Sequence, residues 1–442
     1  MLALQCPAQN YAWGRPAEKS EVAQLAKSNG VDIDESKPFA ELWMGTHPSG
    51  PALIAGGGAT LRSWLEAHPE ALGEATAARF GGELPYLFKV LSVETALSIQ
   101  SHPDKKLAER LHASNPKEYK DDNHKPEMAL ALRDFQALCG FVAPEELKQA
   151  LRDNEELRAT VGEGPSAAFL EAEGGDVKPA LKAAFTALMT ADAAKVAAAI
   201  AAMVGRLTAK KDAGKSLPPK EDLVLRLNGQ YPGDVGVLSA FFLNLVSLNP
   251  GEAIYLDANN PHAYVSGELV ECMAASDNVV RAGLTPKFRD TEVLCESLTY
   301  AMGLPDVLTG DAIHDHVKVY RPPFEEFEIQ RVDIPAGEAV PVPTNPGPLL
   351  LLVTGGAGTA TASGGAAASG KLQPQLELRR GSVVFVPAAT SVTYSAAGSA
   401  DLQVWVAAVN AKVFAPMAVP AAAEAAAVEA AAAEKEPALV AA

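Results

Sequence analysis

A mainly β chain interrupted by one helical insertion is the fold class that the sequence predicts, and three observations carry it. Short aromatic and β-branched runs punctuated by Gly, Pro and Asn occupy the segments before residue 143 and after residue 231. Between Pro144 and Leu227, in contrast, apolar residues recur at helical spacing. The length of 442 residues exceeds what one hydrophobic core supports, so two or three domains are expected. The expected division is a β domain begun by 1–143, an inserted helical domain at 144–230, the return of the first β domain at 231–321, a second β domain at 322–415 and an Ala-rich tail at 416–442.

Taken in order, Gly56 to Pro85 reads as a glycine loop followed by short helices ended by Gly81 and Gly82. PYLFKVLSVETAL favours an extended strand leading into SIQSH. The stretches EELKQALRDNEELR, Pro179 to Thr190 and AAKVAAAIAAMVGRL supply the helical insertion, and the apolar run Asp234 to Leu248 marks the return to strand. From Pro322 to Asn410, runs such as FEIQRVDIP, PLLLLVTG, LELRRGSVVFVP and LQVWVAAV, separated by Gly and Pro, predict a small barrel or jelly roll. After Pro416 the Ala-rich sequence has no apolar stripe set apart from a polar face, and a disordered or frayed tail is expected.

Composition narrows the function. With 48% hydrophobic and 21% charged residues the chain is globular, and a formal net charge of −17 argues against general affinity for nucleic acid or anionic membranes. Cys6, Cys139, Cys272 and Cys295 show no CxxC spacing, so neither a disulfide framework nor a thiolate zinc site is expected. The amino terminus lacks a secretory pattern and there is no run of 18 apolar residues, which together predict a cytoplasmic protein.

The chemistry concentrates in Ser98 to Glu127. Gln100 and His102, two apart on an extended segment, leave it on one face. HKPE sets His124, Lys125 and Glu127 around Pro126, which disfavours helix at Lys125 and lets i and i+2 share a face. An amide oxygen, an imidazole and a carboxylate are mixed donors suited to a borderline divalent metal, and a further ligand is needed. Past Gly251, the run Ala253 to Leu256 and the turn Asn259, Asn260, Pro261 read as strand then tight turn, with His262 opening the next strand as that ligand.

These motifs, QSH, HKPE, NPHAY and NVVRAGLTPK, together with NYAWG, ELWMGTHPSGP and FQALCGF, resemble type I phosphomannose isomerase across residues 9 to 330. The resemblance implies two cupin barrels plus a helical domain. It also implies an enzyme that interconverts mannose 6-phosphate and fructose 6-phosphate through an enediol, with a small sugar phosphate as partner, supplying mannose 6-phosphate for GDP-mannose and glycan synthesis. One Zn2+ per chain is expected on Gln100, His102, Glu127 and His262, and a monomer is expected. Cupins commonly place a histidine eleven residues after a glycine: Gly251 and His262 match, whereas Gly381 is followed at that distance by Val392, so the second barrel is expected to hold no metal.

The resemblance puts Arg281 at the catalytic position, where a guanidinium suits a developing oxyanion. Lys125 is the favoured proton carrier, with His124 and Asp277 as alternatives or helpers in ring opening. Lys89, Ser98 and Lys287 are the candidates for holding the substrate phosphate, and Glu271 and Tyr264 match family positions that line the pocket. Trp13 and Trp43 suit a core role better than a catalytic one, and Cys139 reads as a buried, inert thiol. Two other classes remain: a metal-dependent cupin dioxygenase, which usually needs more histidines and a redox metal, and a non-catalytic sugar-phosphate-binding cupin, which has no need of Arg281 beside Lys125. Conversion of mannose 6-phosphate separates all three.

Overall fold

The computed structural model describes residues 1–365 and 372–414, so the Ala-rich tail expected at 416–442 lies outside the described residues. The first β domain is built around one long strand, His262–Ala274. It pairs antiparallel with Tyr86–Val93, Glu127–Ala131 and Phe135–Phe141, and through His262 with Ile99–Ser101. A strand buried along almost its whole length must be apolar on both faces, which accounts for the run AYV and LVECMA. Gly267 lies within it where the pairing with Phe135–Phe141 ends: its φ is +126°, and a Cβ there would lie 2.5 Å from the Asp134 carbonyl.

The stretch expected as one strand, PYLFKVLSVETAL into SIQSH, is two. Tyr86–Val93 ends before a turn, Ile99–Ser101 starts afresh, and His102 lies one residue beyond it. The run Asp234 to Leu248 is also divided. Gly236–Ser239 is a single helical turn and Leu243–Leu248 alone is strand. Gly236 permits this because a Cβ would come 2.5 Å from the Leu284 backbone nitrogen.

The inserted segment forms helices from Pro144–Asp153 to Pro219–Gln230. Their apolar faces, including Leu147, Phe169, Phe185 and Ile200, share one core with Phe141, Phe242, Val280 and Leu284 of the β domain. Burial of this shared face, more than helix propensity, holds the insertion in place. No single helix among the described residues is long and apolar enough to cross a membrane.

The second β domain packs an eight-stranded sheet against a four-stranded one around Val332, Leu351, Val353, Val392, Tyr394 and Val404. Two features differ from the expected division at residue 322. Val317–Tyr320 pairs with Glu328–Ile334 as a hairpin in this sheet, and Asp311–His314 adds to its edge. At the other end of the chain Leu2–Gln5 pairs with Val383–Val386, so the first residues cover an edge of the second domain.

Candidate metal centre and substrate cleft

His102, Glu127 and His262 converge in the interior, 0%, 2% and 1% exposed. The sheet brings them together: His262 opens the central strand, Glu127 opens the strand beside it after Pro126, and Gln100 sits opposite His262 in the register. Glu127 Oε1 lies 3.3 Å from His102 Nε2 and its Oε2 lies 3.4 Å from His262 Nε2. The three ligating atoms are all within 4.8 Å of one another.

The outer nitrogens define the tautomers. His102 Nδ1 donates to the Asn278 carbonyl at 2.7 Å and His262 Nδ1 to the Asn260 carbonyl at 3.1 Å, since a carbonyl can only accept. Each Nε2 therefore presents a lone pair inward. Both Nε2 atoms and Glu127 Oε2 are buried without a hydrogen-bond partner. Leaving such groups unpaired costs about 1–3 kcal/mol apiece, a cost that a shared cation removes. Burial pushes the His102 ring down to about 4, with Glu127 opposing, so it is neutral as a ligand must be. Burial acts to raise the Glu127 carboxyl, but Lys125, His102 and His262 together outweigh it and hold it well below the usual range. Two imidazoles and a carboxylate fit Zn2+, with the Gln100 amide placed on the neighbouring strand position.

A cleft of about 650 Å³ opens beside this cluster, and Ser98, Gln100, Lys125, Asp277, Arg281 and Lys287 line it. Lys125 Nζ is 3.0 Å from Glu127 Oε1, and the Ser98 hydroxyl donates to Gln100 Oε1 at 3.3 Å. Val280–Gly283 runs beside Ile99–Ser101 and sets Arg281 opposite Gln100. Neither Arg281 nor Lys287 forms an ion pair among the described residues, and burial lowers the Arg281 pKa, with Glu118 opposing. The helical insertion contributes Gln230 and Tyr231 to the wall: Gln230 Oε1 accepts from the Ala96 N–H at 3.1 Å and the Tyr231 hydroxyl donates to the Ala96 carbonyl at 2.6 Å.

Comparison with known proteins agrees with this architecture. The catalytic domain of type I phosphomannose isomerase matches residues 1–143, and the helical insertion domain of the same family matches residues 158–243. Mannose-6-phosphate isomerase 1 of Arabidopsis thaliana is 45% identical over 94% of this chain and 95% of its own. The chain belongs to the type I phosphomannose isomerase family. A solved mutant of phosphomannose isomerase from Salmonella typhimurium superposes with a TM-score of 0.78 at 30% identity, covering 93% of this chain and 99% of the other. A zinc-bound holo structure of mannose 6-phosphate isomerase superposes at 0.77, also at 30% identity, covering 92% and 99%.

Within this family site, four of the expected residues sit differently from their sequence-based roles. His124 does not line the cleft; its Nε2 lies 2.5 Å from Glu326 Oε1, in the loop between Val317–Tyr320 and Glu328–Ile334 of the second β domain. It stands three residues before Glu127, ahead of the strand that Glu127 opens. Lys89 stands on the cleft wall but is buried and already paired, 3.1 Å from Glu271 and 3.6 Å from Glu41, with its ammonium 5.1 Å from the Trp43 ring centroid. Burial disfavours that charge, but Glu41, Glu271 and Glu127 more than compensate and hold its pKa above the ordinary value. A lysine so paired has little charge left for a phosphate. Tyr264 is buried behind the cleft, and its hydroxyl donates to Glu271 Oε1 at 2.7 Å, so these two support Lys89 and do not line the opening.

Sequence reasoning missed His47, 3.3 Å from Asp277. Its hydrogen bond, against some burial, holds the Asp277 carboxyl below the usual range. Asp234 was missed too: it accepts from the Leu284 and Thr285 N–H groups at 2.7 and 3.2 Å and so shapes the loop that carries Lys287. His47 stands in the quoted motif ELWMGTHPSGP, which could have pointed to it, whereas Asp234 stands in no spacing pattern that would have singled it out.

Proposed function

We propose that this chain is a zinc-dependent mannose-6-phosphate isomerase working through an enediol, and that its mannose 6-phosphate feeds GDP-mannose synthesis. The observation that carries the reading is the set of three ligand atoms on His102, Glu127 and His262, without a hydrogen-bond partner among the described residues, beside a cleft lined by Arg281 and Lys287, which form no ion pair there. The zinc-bound relative supports the choice of metal.

Bound on His102, Glu127, His262 and Gln100, zinc supplies Lewis acidity toward a sugar oxygen. The remaining work belongs to side chains. Arg281 offers planar N–H donors to the oxyanion that develops as a proton moves between carbons 1 and 2. Lys125, on the cleft wall and tied to Glu127, carries that proton. Asp277, anionic beside His47, accepts a hydroxyl proton in ring opening. Lys287 and the Ser98 hydroxyl hold the phosphate, and Lys89 serves as a buried support for Glu41 and Glu271. Tyr11, Trp13 and the insertion residues Gln230 and Tyr231 narrow the cleft and limit water.

The test is a coupled assay of fructose 6-phosphate formed from mannose 6-phosphate, before and after removal of metal. Turnover that a chelator abolishes and zinc restores is the expected result; no turnover by the metal-loaded protein overturns the reading.

A further inference from the structure

We infer that Asp121 is a positioning residue for this centre, holding the Asn278 carbonyl that orients His102 and locking the Asp277 loop to the segment that leads into Lys125 and Glu127. The inference rests on reading His102, Glu127 and His262 as a metal site. Asp121 forms no ion pair among the described residues, yet its carboxylate is saturated with donors. Oδ1 accepts from the Ser276 hydroxyl at 2.8 Å, the Asn123 backbone N–H at 3.0 Å and the Asn278 side-chain amide at 3.1 Å. Oδ2 accepts from the Asp277 backbone N–H at 2.8 Å.

These donors come from two segments that meet at the metal centre. Asn123 stands one residue before His124 and two before Lys125, while Ser276 to Asn278 form the loop whose last carbonyl takes the His102 Nδ1 hydrogen at 2.7 Å. Asn278 is fully buried, and its amide also donates to the Asp121 and Asn123 carbonyls at 2.7 and 2.9 Å. One carboxylate thus ties down the loop from Ser276 to Asn278, through the Ser276 hydroxyl, the Asp277 N–H and the Asn278 side chain, and the Asn278 carbonyl of that loop sets the ring orientation and tautomer of a ligand. Partners that hold the outer nitrogen of a ligating histidine govern its basicity and aim, and their loss typically weakens metal binding by about 10–100-fold.

Asp121→Asn is a sharp probe because, whichever way the new amide turns, an NH2 group faces a donor: the Asp277 N–H or the three donors at Oδ1. Asn278→Ala is the second variant; it keeps the backbone carbonyl and removes the side chain by which Asp121 grips it. Asp122→Ala is the control, an exposed neighbour paired with Lys105 at 3.3 Å. Metal-free preparations of each are titrated with Zn2+ against a competing chelating dye, and with Co2+ to read its visible absorption. Asp121→Asn is expected to bind zinc about 10–100-fold more weakly and to change the Co2+ spectrum, with Asn278→Ala moving both readouts the same way and Asp122→Ala moving neither. Zinc affinity within about twofold of wild type and an unchanged Co2+ spectrum in both Asp121→Asn and Asn278→Ala overturn the inference while leaving the metal site intact. If Asp121→Asn does not fold, Asn278→Ala decides by the same criterion. Failure of the wild-type protein to bind either metal overturns the site reading itself, and the inference with it.

Discussion

Glu127→Gln tests the metal centre with the smallest change of shape. The substitution keeps volume and one carbonyl oxygen but removes the charge that sits between the two histidines, 3.3 and 3.4 Å from their Nε2 atoms. Two losses follow. As a directly ligating group, Glu127 should matter more than an outer partner, whose removal costs about 10–100-fold, so zinc affinity is expected to fall by at least about 100-fold, or about 2.7 kcal/mol. The second loss concerns Lys125, whose ammonium lies 3.0 Å from the same carboxylate and is only 11% exposed. Breaking a buried pair by removing one partner costs about 3–5 kcal/mol, and because Lys125 borders the open cleft and can regain water, the lower end of that range applies. Zinc titration of the metal-free protein reads the first loss and urea unfolding of the same preparation reads the second. Full zinc occupancy with affinity within about tenfold of wild type would refute the assignment of Glu127 as a ligand.

Arg281→Lys is expected to keep metal and fold but lower kcat by about 100-fold, because an ammonium cannot reproduce the planar donors of a guanidinium; turnover near wild type would make Arg281 structural. In the metal-free protein, His102 resists protonation down to about 4 while the unfolded chain takes up that proton near 6.5. Its contribution is therefore present above pH 6.5 and lost as pH falls toward 4, about 3 kcal/mol over that window, and His102→Gln should flatten this limb in chemical denaturation measured across pH. Metal titration of the wild-type protein is expected to give one tight ion per chain. Val392→His should add none, because Val392 is packed among Val340, Ala362 and Tyr394 and, among the described residues, the one cluster of candidate ligands is His102, Glu127 and His262; a second tight ion in either protein contradicts this.

Much of this protein was legible in its sequence because the signals are local. Helical periodicity between Pro144 and Leu227, the glycine stops at Gly81 and Gly82, and the turn Asn259 to Pro261 ahead of His262 each operate over a few residues, and the structure has helices, a helix end and a strand start there. The candidate ligands His102, Glu127 and His262 were legible for the same reason: each lies in a short strand-edge motif. Tertiary structure alone decided how the charges are spent. Lys89 and His124 looked as available as Lys287 and Lys125, but Lys89 meets Glu271 across 182 residues and His124 meets Glu326 across 202. The His102 tautomer is set by Asn278, 176 residues away, and the first strand, Leu2–Gln5, finds its partner at Val383–Val386. Backbone preference is set by neighbours in the chain, whereas a buried charge must be matched by whatever the fold brings within a few ångströms, and sequence distance carries no information about that.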